Sequence, residues 1–275
     1  MADIRALARL RDRDIAREGL MVLEGRIVIE KALSCSIVPE LLVCTQEQAP
    51  YWQTMPGVQD HLVIMSHDEL CALVDFKFHR GVLALAHKPA LGSLDGWLAR
   101  IDTVRAGASE ASVAFDAGCG TRPARLLVLW DVTDPSNLGA LIRTAAALGS
   151  DAVALGPGCA DPYYRKAIRA SMGNVFALPI LACALQDLLL LREAGWRICA
   201  AALTDRATDS AVLADALRDK VPRALVLGNE GYGLPPEVLE HSTEQVCIPM
   251  EKDVDSLNVA VAGGILMYQF FRQGF

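Results

Sequence analysis

Four short segments of this 275-residue chain carry side chains suited to holding and activating a small ligand. The first is Asn137-Leu-Gly-Ala-Leu-Ile-Arg143-Thr-Ala145. Asn137 is expected at or near the N-cap of a helix from Leu138 to Leu148, where its amide satisfies an orphan N–H and the helix end attracts anions. Leu138, Leu141, Ile142, Ala145 and Leu148 share one apolar stripe, and Arg143 points roughly 140° from its centre. A capped helix with an arginine in solvent accounts for the same residues. The second segment is Leu227-Gly228-Asn229-Glu230-Gly231-Tyr232-Gly233-Leu234-Pro235, directly after an apolar run. Its three glycines mark a backbone that takes positive φ or approaches something closely. It lacks the Gly-Lys-Ser/Thr ending of a phosphate loop and the Gly-x-Gly-x-x-Gly dinucleotide fingerprint. A cradle for a small, mostly neutral ligand with one acidic side chain fits, and so does a plain turn.

The third segment joins Ile248-Pro-Met250 to Ser256-Leu257-Asn258-Val-Ala-Val-Ala. Ser256 reads as an N-cap. Gly263 and Gly264 follow inside an apolar helix, where each costs on the order of 1 kcal/mol relative to Ala. That helix is therefore expected to be buried against a neighbour or a second subunit. In the fourth segment, Asp161 to Gly173, Arg165, Lys166 and Arg169 accompany Tyr163 and Tyr164. This is either a solvated helix face or a small basic surface whose tyrosines stack on bases.

The elements that must position these residues follow from hydrophobic patterning. Residues 1–90 read as a compact α/β unit, with strands at Leu20–Leu23, Leu41–Cys44, Leu62–Met65 and Val82–Ala86, and helices at Ile27–Leu33 and after Ser66. Ser66 with Glu69 forms a capping box. Residues 91–125 turn to Ala, Gly and Ser and read as a linker with one short helix, Leu94–Ile101. From 126 to 275, strands at Leu126–Trp130, Ala152–Leu155, Ile198–Ala201, Ala224–Leu227 and Val246–Pro249 alternate with helices. Such a pattern implies a parallel sheet covered on both faces. Ligands of these sheets bind beyond the carboxyl ends of the strands, so the loops after Leu155, Leu227 and Met250 are the places to look.

Composition narrows the function. Lys+Arg total 26 against Asp+Glu 33, a net charge of −7, which excludes a smeared basic coat. The stretch from Glu237 to Asp255 alone holds six acids and one Lys, so the basic segments elsewhere have few acids around them. The 8 cysteines are scattered singly, with no Cys-x-x-Cys pair, and read as reduced, mostly buried thiols rather than a metal site or disulfide framework. The run Val259 to Tyr268, free of charges and amides, is about half of what spans a bilayer. With Asp3, Arg5, Arg9, Arg11 and Asp12 so early, no signal sequence is expected, and the chain reads as cytoplasmic.

In this order and context the segments resemble the SpoU/TrmH family of RNA 2′-O-ribose methyltransferases, within the SPOUT superfamily. The resemblance rests on Asn137-x-Gly139-x-x-x-Arg143-Thr-Ala, Arg169-Ala-Ser171-Met-Gly173, Gly228-Asn229-Glu230-Gly231-x-Gly233-Leu, and Ile248-Pro-Met with Ser256-Leu-Asn258-Val-Ala-Val-Ala. Less specifically, Val22-Leu-Glu24-Gly25 and His79-Arg80-Gly81-Val82 are similar to the family's small L30e-like RNA-binding domain. The resemblance implies a C-terminal methyltransferase domain with a deep trefoil knot, S-adenosylmethionine as cofactor, and homodimers formed through that domain. It implies that Asn137, Arg143, Glu230, Ser256 and Asn258 surround the reacting atoms. Leu227, Gly228, Asn229, Glu230, Gly233, Ile248, Met250 and Leu257 would hold the cofactor, and Lys77, Arg80, Arg165, Lys166 and Arg169 would face rRNA or tRNA. A guanidinium keeps its proton across the range in which proteins fold. Arg143 is therefore expected to grip a phosphate and stabilise a developing alkoxide, with Glu230 or solvent taking the proton. A catalytically silent RNA-binding or assembly protein on the same fold is the alternative. A nicotinamide-dependent enzyme is disfavoured for want of the glycine fingerprint.

Overall fold

The computed structural model describes residues 12–73, 80–105, 122–217, 221–252 and 256–271. They fall into two compact units, one from the chain up to Ala90 together with Asp161–Ala177, the other from Leu91–Ala160 and Leu178–Phe275.

The first unit contains α1 (Asp12–Arg17), β1 (Leu20–Glu24), α2 (Arg26–Ser34), β2 (Leu41–Thr45), α3 (Ala49–Thr54), β3 (Leu62–Met65), α4 (His67–Leu73) and β4 (Val82–His87). Its sheet has the order β1-β4-β2-β3, with β4 antiparallel to both neighbours and β2 parallel to β3. Val22, Val43, Leu83 and Leu85 of the strands bury against Ile15 of α1 and Leu70 of α4. The capping box forms as its residues dictate. The Ser66 N–H donates to Glu69 Oε2 at 2.9 Å, and the Glu69 N–H donates back to the Ser66 hydroxyl at 3.2 Å.

The second unit begins inside the expected linker. β5 (Gly92–Ser93) and α5 (Leu94–Arg105) precede β6 (Arg125–Leu129), α6 (Pro135–Ala147) and β7 (Ala152–Leu155). Leu94, Trp97 and Ile101 are buried in the core of this unit, so the first part of 91–125 is ordered structure; residues 106–121 lie outside the described residues. The helix α7 (Arg165–Ala170) belongs to the first unit. The chain then continues through β8 (Ile180–Ala182), α8 (Leu185–Glu193), β9 (Arg197–Ala201), β10 (Thr208–Asp209), α9 (Ser210–Leu217), β11 (Arg223–Leu227), α10 (Pro236–His241), β12 (Glu244–Cys247) and α11 (Val259–Phe271).

These strands make one parallel sheet in the order β10-β12-β9-β11-β6-β7-β8-β5. Every residue of β6, β7 and β11 is buried, the mark of strands covered on both faces. Leu126, Val128, Ala224 and Val226 point into a cluster with Trp97 of α5 and Leu188 and Leu191 of α8. On the other side, α11 packs so tightly on α6 and β11 that a Cβ at Gly263 would lie 2.3 Å from Leu141 and 2.7 Å from Leu227. Gly264 meets nothing closer than a Thr144 methyl at 3.9 Å, so of the two costly glycines only Gly263 is explained by close packing. The two- and three-residue strands β5, β8 and β10 were not expected, because such lengths carry no readable period.

Two helix starts differ from expectation. α6 begins at Pro135 because the Asp134 carboxylate accepts from the Ser136 N–H at 2.7 Å and proline is preset for the first helical turn. Asp134, not Asn137, is its N-cap. The same helix closes as expected, with Gly149 at φ +78° and the Ser150 N–H on the Ala145 carbonyl at 2.9 Å. α11 begins at Val259, with the Asn258 side chain accepting from the Ala260 and Val261 N–H groups at 2.9 and 3.4 Å. Asn258 takes the capping place given to Ser256. At the far end of α11 the buried Arg125 guanidinium donates to the Phe271 carbonyl.

Candidate active site

The three central strands β11, β6 and β7 deliver their loops to one edge of the sheet. Backbone hydrogen bonds tie those loops together, with the Trp130 N–H on the Leu227 carbonyl and the Gly156 N–H on the Leu129 carbonyl, each at 2.8 Å. Asp131, in the left-handed region at φ +55°, donates its N–H to the Pro157 carbonyl at 3.1 Å. Its carbonyl accepts from Asn229 Nδ2 at 2.9 Å, and its carboxylate accepts from the Tyr232 hydroxyl. A Cβ at Gly158 would lie 2.0 Å from Asp131 Oδ1. Asp131 thus braces three loops at once.

The 228–234 loop has a local logic. Asn229 and Gly233 exchange backbone hydrogen bonds at 3.1 and 3.0 Å, and Asn229 Oδ1 accepts from the Gly231 N–H at 2.8 Å. Gly233 takes φ +71°. Gly228 sits so close to the Gly233 backbone that a Cβ would fall 2.5 Å from its carbonyl carbon. The close approach expected of these glycines is therefore met by the loop itself.

Out of this loop Glu230 reaches the start of α6, where Asn137 Nδ2 donates to Glu230 Oε1 at 2.5 Å. Asn258 Nδ2 donates in turn to Asn137 Oδ1 at 3.2 Å, while its own oxygen caps α11. Three residues from three separate segments form one hydrogen-bonded chain that ends on a carboxylate. Asn137 is half-buried, and Glu230 and Asn258 are exposed. Among the described residues no side-chain hydrogen bond reaches the second carboxylate oxygen of Glu230.

The remaining expected site residues are not joined to this chain. Arg143 is exposed on α6, about 9 Å along the axis from Asn137 and roughly 120° around it. Ser256 and Leu257 are exposed, Ile248 and Met250 are half-buried, and Leu227 is buried at the end of β11. No hydrogen bond between described residues links Ile248, Met250, Ser256 or Leu257 to the 228–234 loop. Thiol chemistry is not part of the site: burial pushes Cys159 up to about 11 and Cys183 and Cys199 to about 12. Among the described residues, no group of three or more His, Cys, Asp or Glu is placed to hold a metal ion.

The expected RNA-facing residues that are described belong to the first unit. The buried carboxylate of Glu24 holds Arg169 at 3.2 Å and Arg80 at 3.8 Å, so two segments far apart in sequence present their guanidinium groups side by side. Arg165 is half-buried and Lys166 exposed. Lys77 lies outside the described residues. Tyr163, expected either on a solvated helix face or as a base-stacking side chain, is core: it is 5% exposed and stacked on Phe176 with ring centroids 6.3 Å apart. Lys88 is engaged by Asp161 at 2.5 Å. Sequence reasoning missed Asp131 and the exposure of Tyr232. An acid directly after a central buried strand was the available signal for the first.

Comparison with known proteins places these features. The model of the SpoU rRNA Methylase family matches residues 124–268. An uncharacterized tRNA/rRNA methyltransferase of Mycobacterium tuberculosis is 33% identical over 262 residues, covering 94% of this chain and 82% of the relative. The 23S rRNA (guanosine(2553)-2′-O)-methyltransferase RlmP of Bacillus subtilis is 30% identical over 253 residues, 90% of this chain and 86% of its own. Among solved structures, an RNA 2′-O ribose methyltransferase superposes with a TM-score of 0.67 at 29% identity, covering 97% of this chain and 94% of its own. An AdoMet-bound rRNA methyltransferase from Sinorhizobium meliloti shares the fold with a TM-score of 0.76 at 24% identity, covering 98% and 92%.

Proposed function

The chain belongs to the SpoU rRNA Methylase family, and on that premise we propose that it transfers a methyl group from S-adenosylmethionine to a ribose 2′-hydroxyl of rRNA or tRNA. The observation that carries this reading is the chain Asn258–Asn137–Glu230, which gathers three of the family's motifs around one carboxylate at the carboxyl edge of the parallel sheet.

The residues present fit the cofactor. Leu227 at the end of the buried strand β11 and Ile248 and Met250 after β12 are apolar, residue types suited to an adenine ring. Glu230 alongside suits a ligand with a cationic centre. When bound, S-adenosylmethionine supplies a methyl group made electrophilic by its sulfonium.

The protein's own side chains do the rest. A ribose hydroxyl is a poor nucleophile until its proton leaves. Asn137 holds one oxygen of Glu230 and leaves the other to take that proton. Arg143, about 9 Å along α6 from Asn137, would grip a neighbouring phosphate, and its charge would favour the developing alkoxide. Within the first unit, we assign RNA contacts to Arg80 and Arg169, held by Glu24, and to Arg165 and Lys166.

Two further parts of the reading concern assembly. We place a trefoil knot in the C-terminal part of the chain. It is supported by the position of α11, which follows β12 in the chain and, although β12 lies near one edge of the sheet, packs on α6 and the central strand β11. We also read Val261, Ile265 and Tyr268, an exposed apolar stripe on α11, as the contact between two copies.

Labelled S-adenosylmethionine incubated with the full-length protein and RNA lacking the native modification tests the activity. Label is expected on ribose. Folded protein that binds the cofactor yet leaves ribose unlabelled would refute the proposal.

A further inference from the structure

Tyr232 is the most exposed of the large hydrophobic side chains among the described residues, at 72%. An aromatic ring so far in water is held there by two contacts. Its hydroxyl donates to the Asp131 carboxylate, and three positions earlier Asn229 Nδ2 donates to the Asp131 carbonyl at 2.9 Å. Asp131 is itself fixed by the Pro157 carbonyl and by the lack of a side chain at Gly158. The hydrogen bond to Asp131 also holds the phenol proton above its usual range, so the ring stays neutral.

Such an arrangement preorganises a flat apolar face at the rim of the candidate site, two residues from Glu230. The nearby charges select what it can take. Asp131 and Glu230 are both acidic, which disfavours a phosphate at this spot and leaves the uncharged π-face of a base as the group that fits. We propose that Tyr232 is a stacking platform for a nucleobase of the RNA substrate, at or next to the methylated ribose, with Asp131 holding it in place. This inference rests on the RNA substrate of the proposed function.

The test compares full-length wild type with Tyr232→Ala and Tyr232→Phe on unmodified rRNA and tRNA transcripts. RNA affinity, KM and kcat are measured beside cofactor affinity and thermal midpoint. Stacking predicts an RNA affinity about 10-fold or more weaker and a raised RNA KM for Tyr232→Ala. Cofactor affinity and thermal midpoint stay at wild-type values, and Tyr232→Phe stays within about threefold of wild type because it keeps the ring. Unchanged RNA affinity in Tyr232→Ala would overturn the platform. So would Tyr232→Phe as weak as Tyr232→Ala, which would assign the effect to the hydroxyl, or a loss of self-association, which would make the ring a protein contact. Wild type that neither binds nor methylates either RNA would overturn the substrate reading together with this one, and is distinguished by the wild-type arm alone.

Discussion

Asn137 and Glu230, 93 residues apart, are joined by a hydrogen bond from the Asn137 amide to the Glu230 carboxylate at 2.5 Å. The bond links the first turn of α6 to the loop after β11, and Asn258 extends it to the first turn of α11. A carboxylate held at one oxygen is oriented for proton transfer at the other.

Glu230→Gln keeps the shape of this arrangement and removes the proton acceptor. It is expected to lower kcat by about 10²- to 10⁴-fold with RNA and cofactor affinities near wild type. Single-turnover kinetics with separately measured binding checks this. A loss confined to cofactor affinity would instead make Glu230 a binding residue. Asn137→Ala combined with Glu230→Gln should cost little more than Glu230→Gln alone, since the amide acts through the carboxylate.

Arg143→Lys is expected to remain well below wild type in turnover, because a point charge does not reproduce the guanidinium fork on a phosphate. Arg143→Ala should also reduce the salt dependence of RNA binding by about one phosphate contact. Near-normal turnover in Arg143→Lys would remove the bidentate grip from the mechanism.

Gly263 and Gly264 should respond oppositely to alanine. At Gly263 the new methyl would lie 2.3 Å from Leu141 and 2.7 Å from Leu227, both buried, so Gly263→Ala is expected to destabilise the protein by about 1–2 kcal/mol despite better helix propensity. At Gly264 the nearest atom is at 3.9 Å, and Gly264→Ala should stabilise by about 0.5–1 kcal/mol. Urea unfolding of the two variants gives the sign directly.

Acid should loosen α4 through its cap. Hydrogen bonds from the Ser66 hydroxyl and N–H hold the Glu69 carboxyl below its usual range. A group depressed in the folded state contributes stability above its unfolded pKa and loses it as pH falls through the folded value. Hydrogen exchange of the α4 amides, compared between wild type and Glu69→Gln at each pH, should show wild-type protection near neutrality, with the difference vanishing in acid. A difference that persists unchanged below the carboxylate range would contradict the linkage.

Ile265→Glu, on the exposed stripe of α11, should convert a dimer to a monomer at micromolar concentration in sedimentation, because a carboxylate cannot be buried there without a partner. Unaltered sedimentation of a wild-type dimer would place the contact elsewhere.

Much of this was legible in the sequence. The apolar runs at Leu126, Ala152, Ile198 and Ala224 became buried parallel strands, and Ser66 with Glu69 formed its cap, because these signals depend on neighbours within one or two turns. Asn137, Glu230 and Asn258 were also identifiable as residue types in a family pattern, and they meet. What misled was competition between near-equivalent local choices. Asp134 and Asn137 are both good caps for α6, as Ser256 and Asn258 are for α11, and sequence alone weights each pair almost evenly.

Sequence by itself determined the element types, the alternation that makes a parallel sheet, and the identity of the motif residues. Tertiary structure decided that β5 and α5 join the second unit, that Arg80 and Arg169 share Glu24, that Tyr163 is core and that Tyr232 stands in water. The reason is physical. Periodicity and propensity report forces acting over a few residues, whereas the exposure of a ring or the partner of a carboxylate depends on which strands lie side by side. Here the strand order brings residue 230 to residue 137, and no local preference contains that order.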